Sequence, residues 1–355
     1  MQTRNYFYLI FILSILTSCE ADDDSNPEPD NSGTYSEGFF VLNEGVFGQG
    51  NSSVSYVDPA NEEISQNIFS GVNGVDLGDT ASDLGFYEDR VFMVVNVSNK
   101  IEVVEDGTFL KMATIESNLE NPRKIAFLDG MAYVTNWGDA SNPLDDYVAV
   151  FNAETFEFIT KITVEEGPEN ILAEGNRIFV AHKGGWNFNN TISVISGSDV
   201  EEVIEVGEVP NSLAAGNGFL WVSSSGLPNY AGETAGSISK IDLSTLEVVK
   251  RLKGANASWH PGNLTLENDL VYYTLGAEVY SFSTGEEILP LEPDFIMEEA
   301  TNLYGFKLND GRIYAASASP DYTGDGKLFI YDVATGNLQT TFDTGINPNG
   351  VFFNE

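Results

Sequence analysis

Residues 122–136 read PRKIAFLDGMAYVTN, and this stretch decides the fold because the chain repeats it. It contains a proline, an apolar run, an Asp-Gly turn and a second apolar run. The same layout recurs in ASDLGFYEDRVFMVVN (81–96) and PNSLAAGNGFLWVSS (210–224). Two short apolar runs separated by a Gly, Asn or Asp turn predict a pair of antiparallel β-strands.

The repeat continues around the whole chain. Prolines mark five of its starts, with successive spacings of 46, 42, 51 and 87 residues: Pro122, Pro168, Pro210, Pro261 and Pro348. The last spacing covers two units, so a further start is predicted near Tyr304, and one unit before Pro122 gives a start at Ser82. Seven units of about 43 residues therefore make up the chain.

Each unit goes on with a second hairpin. Segments such as SISKIDLSTLEVVKRL and KLFIYDVATGNLQTTF alternate apolar and polar residues around a short polar turn, and no segment has a convincing helical period. Seven four-stranded units predict an all-β chain folded as a seven-bladed β-propeller.

The two ends of the repeat complement each other. GFFVLNEG, which begins at Gly38, is typical of the second strand of a unit, and NPNGVFFNE (347–355) is typical of a first strand. We therefore expect the N- and C-terminal strands to pair in one blade and close the ring, with the propeller spanning residues 38–355.

The N-terminus predicts export and lipidation. Residues 1–18 have one cation, Arg4, and an apolar stretch from Tyr6 to Leu16, which is typical of a signal peptide and too short for a transmembrane helix. Leu16-Thr17-Ser18-Cys19 fits the bacterial lipobox, so Cys19 is the predicted lipidation site; the alternative is a buried free thiol. Because Cys19 is the only cysteine, no internal disulfide can form.

Residues 19–37 are predicted to be a flexible acidic tether, since EADDDSNPEPDNSG is rich in acidic residues, Pro, Ser and Asn. An acidic run directly after a lipidated cysteine resembles the surface-export signal of Bacteroidetes lipoproteins; the alternative is a solubilising linker. The predicted location is the outer membrane, exposed at the cell surface.

The charge of the chain limits its partners. With a formal net charge of −38 and no cluster of Lys or Arg, the sequence excludes nucleic acid as a partner, because binding to phosphates requires a basic surface. Anionic ligands are also disfavoured unless cations meet them locally.

The loops predicted at one end of the propeller are long and aromatic. In a propeller, the loops between blades and the loops joining second to third strands lie at the same end. We expect a large, partly apolar ligand to bind there, because aromatic side chains beside Asn, Gly and Ser supply contact area and orientation. The alternative is that these aromatics plug the ring or pack loop on loop. The predicted ligand-binding residues are Phe47, Asn51, Trp137, His182, Trp186, Phe188, Asn211, Tyr230, Trp259, His260, Tyr304 and Tyr322.

Signals for catalysis and for metal binding are weak. The sequence has no GxSxG, HExxH or P-loop motif, so no catalytic residue is predicted and we expect a protein that is not an enzyme. His182 and His260 could each ligate a metal or serve the loops structurally, but two isolated histidines are not a zinc signature, and no metal site is predicted. DYTGDG (321–326) resembles the start of a calcium loop but is interpreted as a hairpin turn.

Several segments carry a resemblance to a known family. FFVLNEGVFGQGNSSVSYVDP (39–59) and the following residues 67–104, continued by GINPNGVFF (345–353), resemble the YncE-like surface propellers of Bacteroidetes, which include the BtuG-like lipoproteins that capture cobalamin. The resemblance covers nearly all of the mature chain.

The resemblance implies a function. It implies capture of a corrinoid (a vitamin B12-like molecule), or of a similar large nutrient, and its transfer to a TonB-dependent, BtuB-like outer-membrane transporter. The corrinoid is a ligand here and no covalent cofactor is expected; the protein would be a monomer apart from that transporter. Two other classes stay open: a scaffold that binds a protein or glycan at the cell surface, and a propeller lactonase or hydrolase.

Overall fold

A computed structural model describes residues 34–139 and 141–354. The predicted signal peptide, the lipidation site Cys19 and the tether up to residue 33 lie outside the described residues. Within the described part, no helix has the length and apolarity needed to cross a membrane.

The described residues form seven four-stranded antiparallel sheets, which are the blades of a propeller. Blade 1 contains β28 together with β1–β3, and each later blade contains the next four strands. The first strands in chain order are β1 (Phe39–Asn43), β2 (Ser53–Asp58), β3 (Glu63–Ser65), β4 (Ala81–Tyr87), β5 (Arg90–Val95), β6 (Lys100–Glu105), β7 (Lys111–Ile115), β8 (Pro122–Leu128), β9 (Met131–Asn136), β10 (Tyr147–Asn152), β11 (Phe158–Thr163), β12 (Pro168–Glu174), β13 (Arg177–His182), β14 (Thr191–Ser196) and β15 (Asp199–Glu205). The remaining strands are β16 (Pro210–Gly216), β17 (Phe219–Ser224), β18 (Ser237–Asp242), β19 (Val248–Lys253), β20 (Gly262–Glu267), β21 (Leu270–Leu275), β22 (Glu278–Ser283), β23 (Phe295–Ile296), β24 (Leu303–Asn309), β25 (Arg312–Ser317), β26 (Asp325–Asp332), β27 (Leu338–Ile346) and β28 (Pro348–Phe353).

The predicted seven-bladed propeller is confirmed, and so is its closure. Strand β28 pairs with β1, with Val41 opposite Val351, so the two ends of the chain complete blade 1. The innermost strands begin at or beside the predicted positions, including Ala81, Gly262 and Leu303. Each innermost strand contacts that of the next blade, from β4 to β8 and onward to β28 and back to β4.

The hydrophobic core lies between the blades. In the described residues it divides into seven clusters, and each fills the gap between two neighbouring blades. Phe39 of blade 1, for example, packs against Tyr314 of blade 7, with ring centroids 5.1 Å apart. Because strands that pack on both faces bury apolar side chains on both, the second and third strands are apolar along most of their length.

Three local elements differ from the predicted pattern. The short helix α1 (Ile68–Asn73) follows β3 and buries Ile68 and Phe69 in the gap between blades 1 and 2. It is too short to show a helical period in the sequence. In blade 6 the fourth strand β23 has only two residues, and residues 284–294 lead to it along the outer edge. The 3₁₀ helix η1 (Asn229–Ala231) lies in a long loop of blade 5.

The ring has two distinct faces. We call the end that carries the loops between blades and the loops between second and third strands the upper face, and the opposite end the lower face. Since β1 enters from the lower face and β28 ends there, both ends of the described chain lie at the lower face. The propeller's contacts begin earlier than the predicted Gly38: Tyr35 pairs with Gly107 and packs against Tyr56 and Phe109.

Candidate ligand-binding face

The upper face carries most of the predicted aromatic residues. Trp186 and Tyr230 are 81% and 85% exposed, and Trp137 is half-buried. The exposed aromatic members of the predicted set are Phe47, Trp186, Phe188, Tyr230, Tyr304 and Tyr322. Aromatic side chains are therefore available to a ligand at this face.

His182 is not on this surface. It is the last residue of β13, is fully buried, and its Nε2 lies 2.8 Å from the Ser193 hydroxyl. Burial lowers its pKa to about 3, so the ring is neutral. The predicted loop position of His182 is wrong, because the strand extends one residue further than the loop pattern indicated.

Trp259 is also packed inside. Its side chain is 8% exposed and lies 5.5 Å from the Tyr273 ring, in the cluster between blades 5 and 6. A loop position was correctly predicted, but the indole turns inward, where it approaches Gly254 so closely that a Cβ there would collide with it.

The two predicted asparagines hold backbone in place. Asn211 is half-buried and its Nδ2 donates to the Pro261 carbonyl, 2.7 Å away, which joins blades 5 and 6 at the mouth of the ring. The Asn51 side chain accepts a hydrogen bond from the Val46 backbone N–H and shapes the first long loop.

Three of the predicted residues meet in one cavity. Phe188, Tyr230 and His260 line a cavity of about 610 Å³ between the loops of blades 4 and 5. The Phe188 and Tyr230 rings are 6.2 Å apart at their centroids and form its aromatic wall. Lys183, Asn187 and Glu233 also line it. An aromatic wall with a few polar groups is the usual composition of a small-molecule site.

The loop of blade 4 that holds Phe188 is braced by Glu166, which lies in the loop between blades 3 and 4. Asn187 Nδ2 donates to Glu166 Oε1 at 3.0 Å, and Asn189 Nδ2 donates to the Glu166 carbonyl at 3.1 Å. Gly184 has a φ of +82° and the Asn187 backbone lies directly against its Cα, so a side chain could not be accommodated there.

The loop of blade 5 that holds Tyr230 is closed on itself. The Thr234 hydroxyl accepts from the Leu227 N–H at 2.9 Å and donates to Glu208 Oε2 at 2.7 Å. At the far side of the cavity, His260 Nδ1 lies 2.6 Å from the Ser225 carbonyl oxygen, and Nε2 lies 3.3 Å from Glu233 Oε1. The imidazole is therefore held in a fixed orientation with one edge in the cavity.

An ion pair between the buried Glu169 and the partly exposed Arg123 lies beside this cavity, at the mouth of the ring. Arg123 forms two hydrogen bonds with the Glu169 carboxylate, at 2.8 and 3.1 Å, and Lys183 Nζ lies 3.3 Å from it. Burial alone would raise the pKa of Glu169, but the charges of Arg123, Lys183 and Lys124 outweigh it and lower the pKa to about 2. The Arg123 and Lys183 cations also lie 4.6 and 5.3 Å from the centroid of the Trp137 ring.

Two further aromatic residues complete the mouth. The Tyr304 and Tyr322 rings are 5.9 Å apart, and the Tyr304 hydroxyl donates to Glu44 Oε2 at 2.7 Å. Burial and the Glu44 carboxylate raise the pKa of Tyr304, so its hydroxyl stays protonated as a donor.

Sequence reasoning missed several of these residues. Arg123 and Glu169 each directly follow the proline that starts an innermost strand, as do Asn211 and Asn349. The repeat alignment thus contained the signal. The position after the proline lies at the mouth of the ring in every blade, so polar residues at this position could have been predicted as site residues. Lys183 and Glu233 carried no comparable signal.

Asp146 makes the stability of the protein depend on pH. It lies at the end of the upper-face loop that joins β9 to β10. Its carboxylate is 3% exposed and accepts a hydrogen bond from the Gly167 N–H at 3.1 Å. Burial, with the nearby charges of Asp145 and Glu166, raises its pKa from 3.8 to about 6. Ionisation therefore costs more in the folded state, so the contribution of Asp146 to stability falls as pH rises from about 4 to about 6.

We expect Asp146→Asn to increase the free energy of unfolding at pH 7 by about 1–3 kcal/mol and to change it little at pH 4. Urea unfolding at the two pH values measures this. Asp139→Asn is the control. Hydrogen bonds from Ser141 lower the pKa of Asp139, so this substitution should decrease the free energy of unfolding at pH 7. Equal effects of Asp146→Asn at both pH values would contradict the prediction.

Within the described residues, no group of three or more His, Cys, Asp or Glu side chains is placed to hold a metal ion. The turn at 318–324 connects β25 to β26, as the hairpin interpretation of DYTGDG predicts.

Comparison with known proteins establishes the fold and the family. A functionally unknown protein from Desulfotomaculum acetoxidans is similar with a TM-score of 0.63 and 14% identity, over 89% of this chain and 98% of that chain. A candidate 6-phosphogluconolactonase from Bacteroides fragilis has a TM-score of 0.63 and 14% identity, over 91% and 99%. Apo AztD from Citrobacter koseri has a TM-score of 0.53 and 10% identity, over 88% and 96%.

At these identities the similarity extends to the fold alone. No curated protein matches the sequence. A family profile does match residues 37–340, which is most of the chain, and the chain therefore belongs to the family described as Domain of unknown function (DUF5074).

Proposed function

We propose that the protein captures a large, partly apolar ligand on its upper face without transforming it. The observation that carries this proposal is the cavity of about 610 Å³ lined by Phe188, Tyr230 and His260, with the exposed Trp186 on the same face. Rigid aromatic side chains lose little conformational entropy on binding, so they provide contact area at low cost.

The ligand class that the sequence favours is a corrinoid or a similar large nutrient. The resemblance to the BtuG-like lipoproteins supports this class. A cavity of this volume accommodates part of such a molecule, and the remainder would lie across the mouth of the ring against Trp137, Tyr304 and Tyr322.

The placement of the chain ends is consistent with a lipid anchor. Because the described chain begins at the lower face, a lipid on Cys19 would attach the protein from that side and leave the aromatic face accessible. We accordingly propose a surface-exposed outer-membrane lipoprotein that passes its ligand to a TonB-dependent transporter.

Isothermal titration of the chain from Glu20 to Glu355 with cyanocobalamin and cobinamide tests this function. We expect tight binding, and we expect Tyr230→Ala and Phe188→Ala each to weaken it by at least about tenfold, or ~1.4 kcal/mol, because both rings would contact the ligand.

Leu291→Ala is the matched control, because Leu291 is 84% exposed but lies on the outer edge of blade 6, outside the aromatic cavity. Absence of heat with both corrinoids, together with an unchanged melting temperature, would contradict corrinoid capture. If the protein then bound a protein or glycan partner and the Tyr230→Ala variant did not, the result would favour the scaffold function on the same face. The likeness to the lactonase candidate is one of fold and does not by itself favour hydrolysis.

A further inference from the structure

The tip of the blade 5 loop, residues 228–233, has a single polar link to a neighbouring loop. Within the described residues, the backbone hydrogen bonds of this tip stay inside it. The one hydrogen bond or ion pair that leaves it joins Glu233 to His260, which lies in the turn between blades 5 and 6. Apart from the contact of the Tyr230 ring with Phe188, the position of Tyr230 at the cavity therefore depends on this link.

Both ring nitrogens of His260 face oxygen atoms that can only accept a hydrogen bond. Nδ1 lies 2.6 Å from the Ser225 carbonyl oxygen, and Nε2 lies 3.3 Å from Glu233 Oε1. A neutral imidazole has one N–H and can satisfy only one of these contacts, whereas the protonated ring satisfies both. The geometry is therefore that of a cationic His260 paired with the Glu233 carboxylate. This ring joins the start of the loop, at Ser225, to its tip.

The other charged groups around the cavity leave this pair intact. Lys183 is the one lysine or arginine among the lining residues, and its Nζ lies 3.3 Å from the Glu169 carboxylate. Glu166 and Glu208 lie in the inter-blade loops and accept hydrogen bonds from the two loops that form the cavity walls. No lysine or arginine in the lining is therefore free to compete with His260 for its carboxylate.

We infer that His260 is a positioning residue for ligand capture, because its ion pair with Glu233 holds the Tyr230 loop against the cavity while the ring is protonated. This inference rests on the proposed function and adds a pH dependence to it. Histidine is the side chain that ordinarily changes charge between about pH 5 and pH 8.

The two contacts of His260 determine which proton is lost as the pH rises. The contact at Nδ1 is the shorter one, so the neutral ring keeps the proton that it donates to the Ser225 carbonyl, and the Nε2 proton passes to water. Nε2 and Glu233 Oε1 then both present lone pairs. The link at the tip of the loop is lost, and the affinity for the ligand falls.

Nuclear magnetic resonance of the chain from Glu20 to Glu355, with ¹⁵N-labelled histidine, tests the ion pair without any ligand. The chain has two histidines, and burial lowers the pKa of His182 to about 3, so the His182 signals should stay constant from about pH 5.5 to pH 8. His260 should carry two ring protons at about pH 5.5 and lose the Nε2 proton at higher pH. The Gly232 amide should become more mobile as that proton is lost.

Cyanocobalamin is the probe for capture, because its own charge does not change over this range. We expect its affinity to fall by about two- to fivefold from pH 5.5 to pH 8, which is the effect of one partly exposed ion pair. Glu233→Gln should remove this dependence, since an amide can accept from a protonated Nε2 or donate to a neutral one. Glu208→Gln is the matched control, because it removes a carboxylate beside the same loop without touching His260, and it should keep the pH dependence.

A His260 ring that does not change its protonation over this range, or that does so without changing the mobility of Gly232, would overturn this inference and leave the capture function standing. A cyanocobalamin affinity that changes equally with pH in the wild type and in Glu233→Gln would overturn it as well. Absence of cyanocobalamin binding at every pH would contradict the proposed function, and the magnetic resonance titration would still decide the ion pair.

Discussion

Deletion of residues 348–355 is expected to abolish cooperative folding. These residues include the whole of β28, which is the innermost strand of blade 1 and pairs with β1. Without it, β1 has an open edge, and the cluster around Phe39 and Tyr314 loses the buried Val351. The ring then lacks the contacts that join blade 7 to blade 1, and a propeller depends on closure to protect its edges.

Near-ultraviolet circular dichroism and urea unfolding measure this effect. The control is removal of residues 354–355 alone, which leaves every strand intact and should preserve one cooperative transition. A native-like transition in the longer deletion would show that pairing of the chain ends is dispensable.

Arg123→Met is expected to lower the free energy of unfolding by about 3–5 kcal/mol at pH 7, because it leaves the buried Glu169 carboxylate with only part of its positive surroundings. Methionine keeps much of the arginine's apolar volume, so the decrease in the free energy of unfolding reflects the removal of the charge. Since the pKa of Glu169 is depressed to about 2, its stabilising contribution is complete above about pH 4.5 and is lost as pH falls toward 2. The variant should therefore lose stability less steeply than the wild type over that range.

The double variant Arg123→Met/Glu169→Gln is the matched control for this pair. Removing both charges should recover most of the lost stability, because no uncompensated buried charge remains. Urea unfolding of the single and double variants at pH 7 and pH 3 gives the comparison. A double variant as unstable as Arg123→Met would contradict a role for the charge imbalance.

Much of the fold was predictable because each blade repeats the same local chemistry. Apolar runs around Asp-Gly or Asn-Gly turns determine hairpins, and the prolines at Pro122 and Pro168 mark where innermost strands begin. Helix α1 was not predictable, because it has too few residues to show a helical period. The shortened β23 was not predictable either, because the irregular segment 284–294 takes the place of most of the fourth strand.

The site was predictable only in part. Exposed loop aromatics such as Trp186 and Tyr230 were identified because large apolar residues in polar loops are unusual. Trp259 and His182 were assigned to the same surface, but the direction of a side chain in a loop or at the end of a strand depends on packing, which the sequence pattern does not contain. The ion pair of Arg123 with Glu169 joins two neighbouring blades. The two residues are 46 positions apart in the sequence, and only the repeat alignment shows that they occupy equivalent positions.

A crystal structure of the protein with bound cobinamide is the decisive test of ligand capture on the upper face, because it locates the ligand on the molecule. We expect ligand density on the upper face, in the cavity lined by Phe188, Tyr230 and His260. Ligand density on the lower face or along the outer edge of blade 6, with that cavity occupied by solvent, would contradict it.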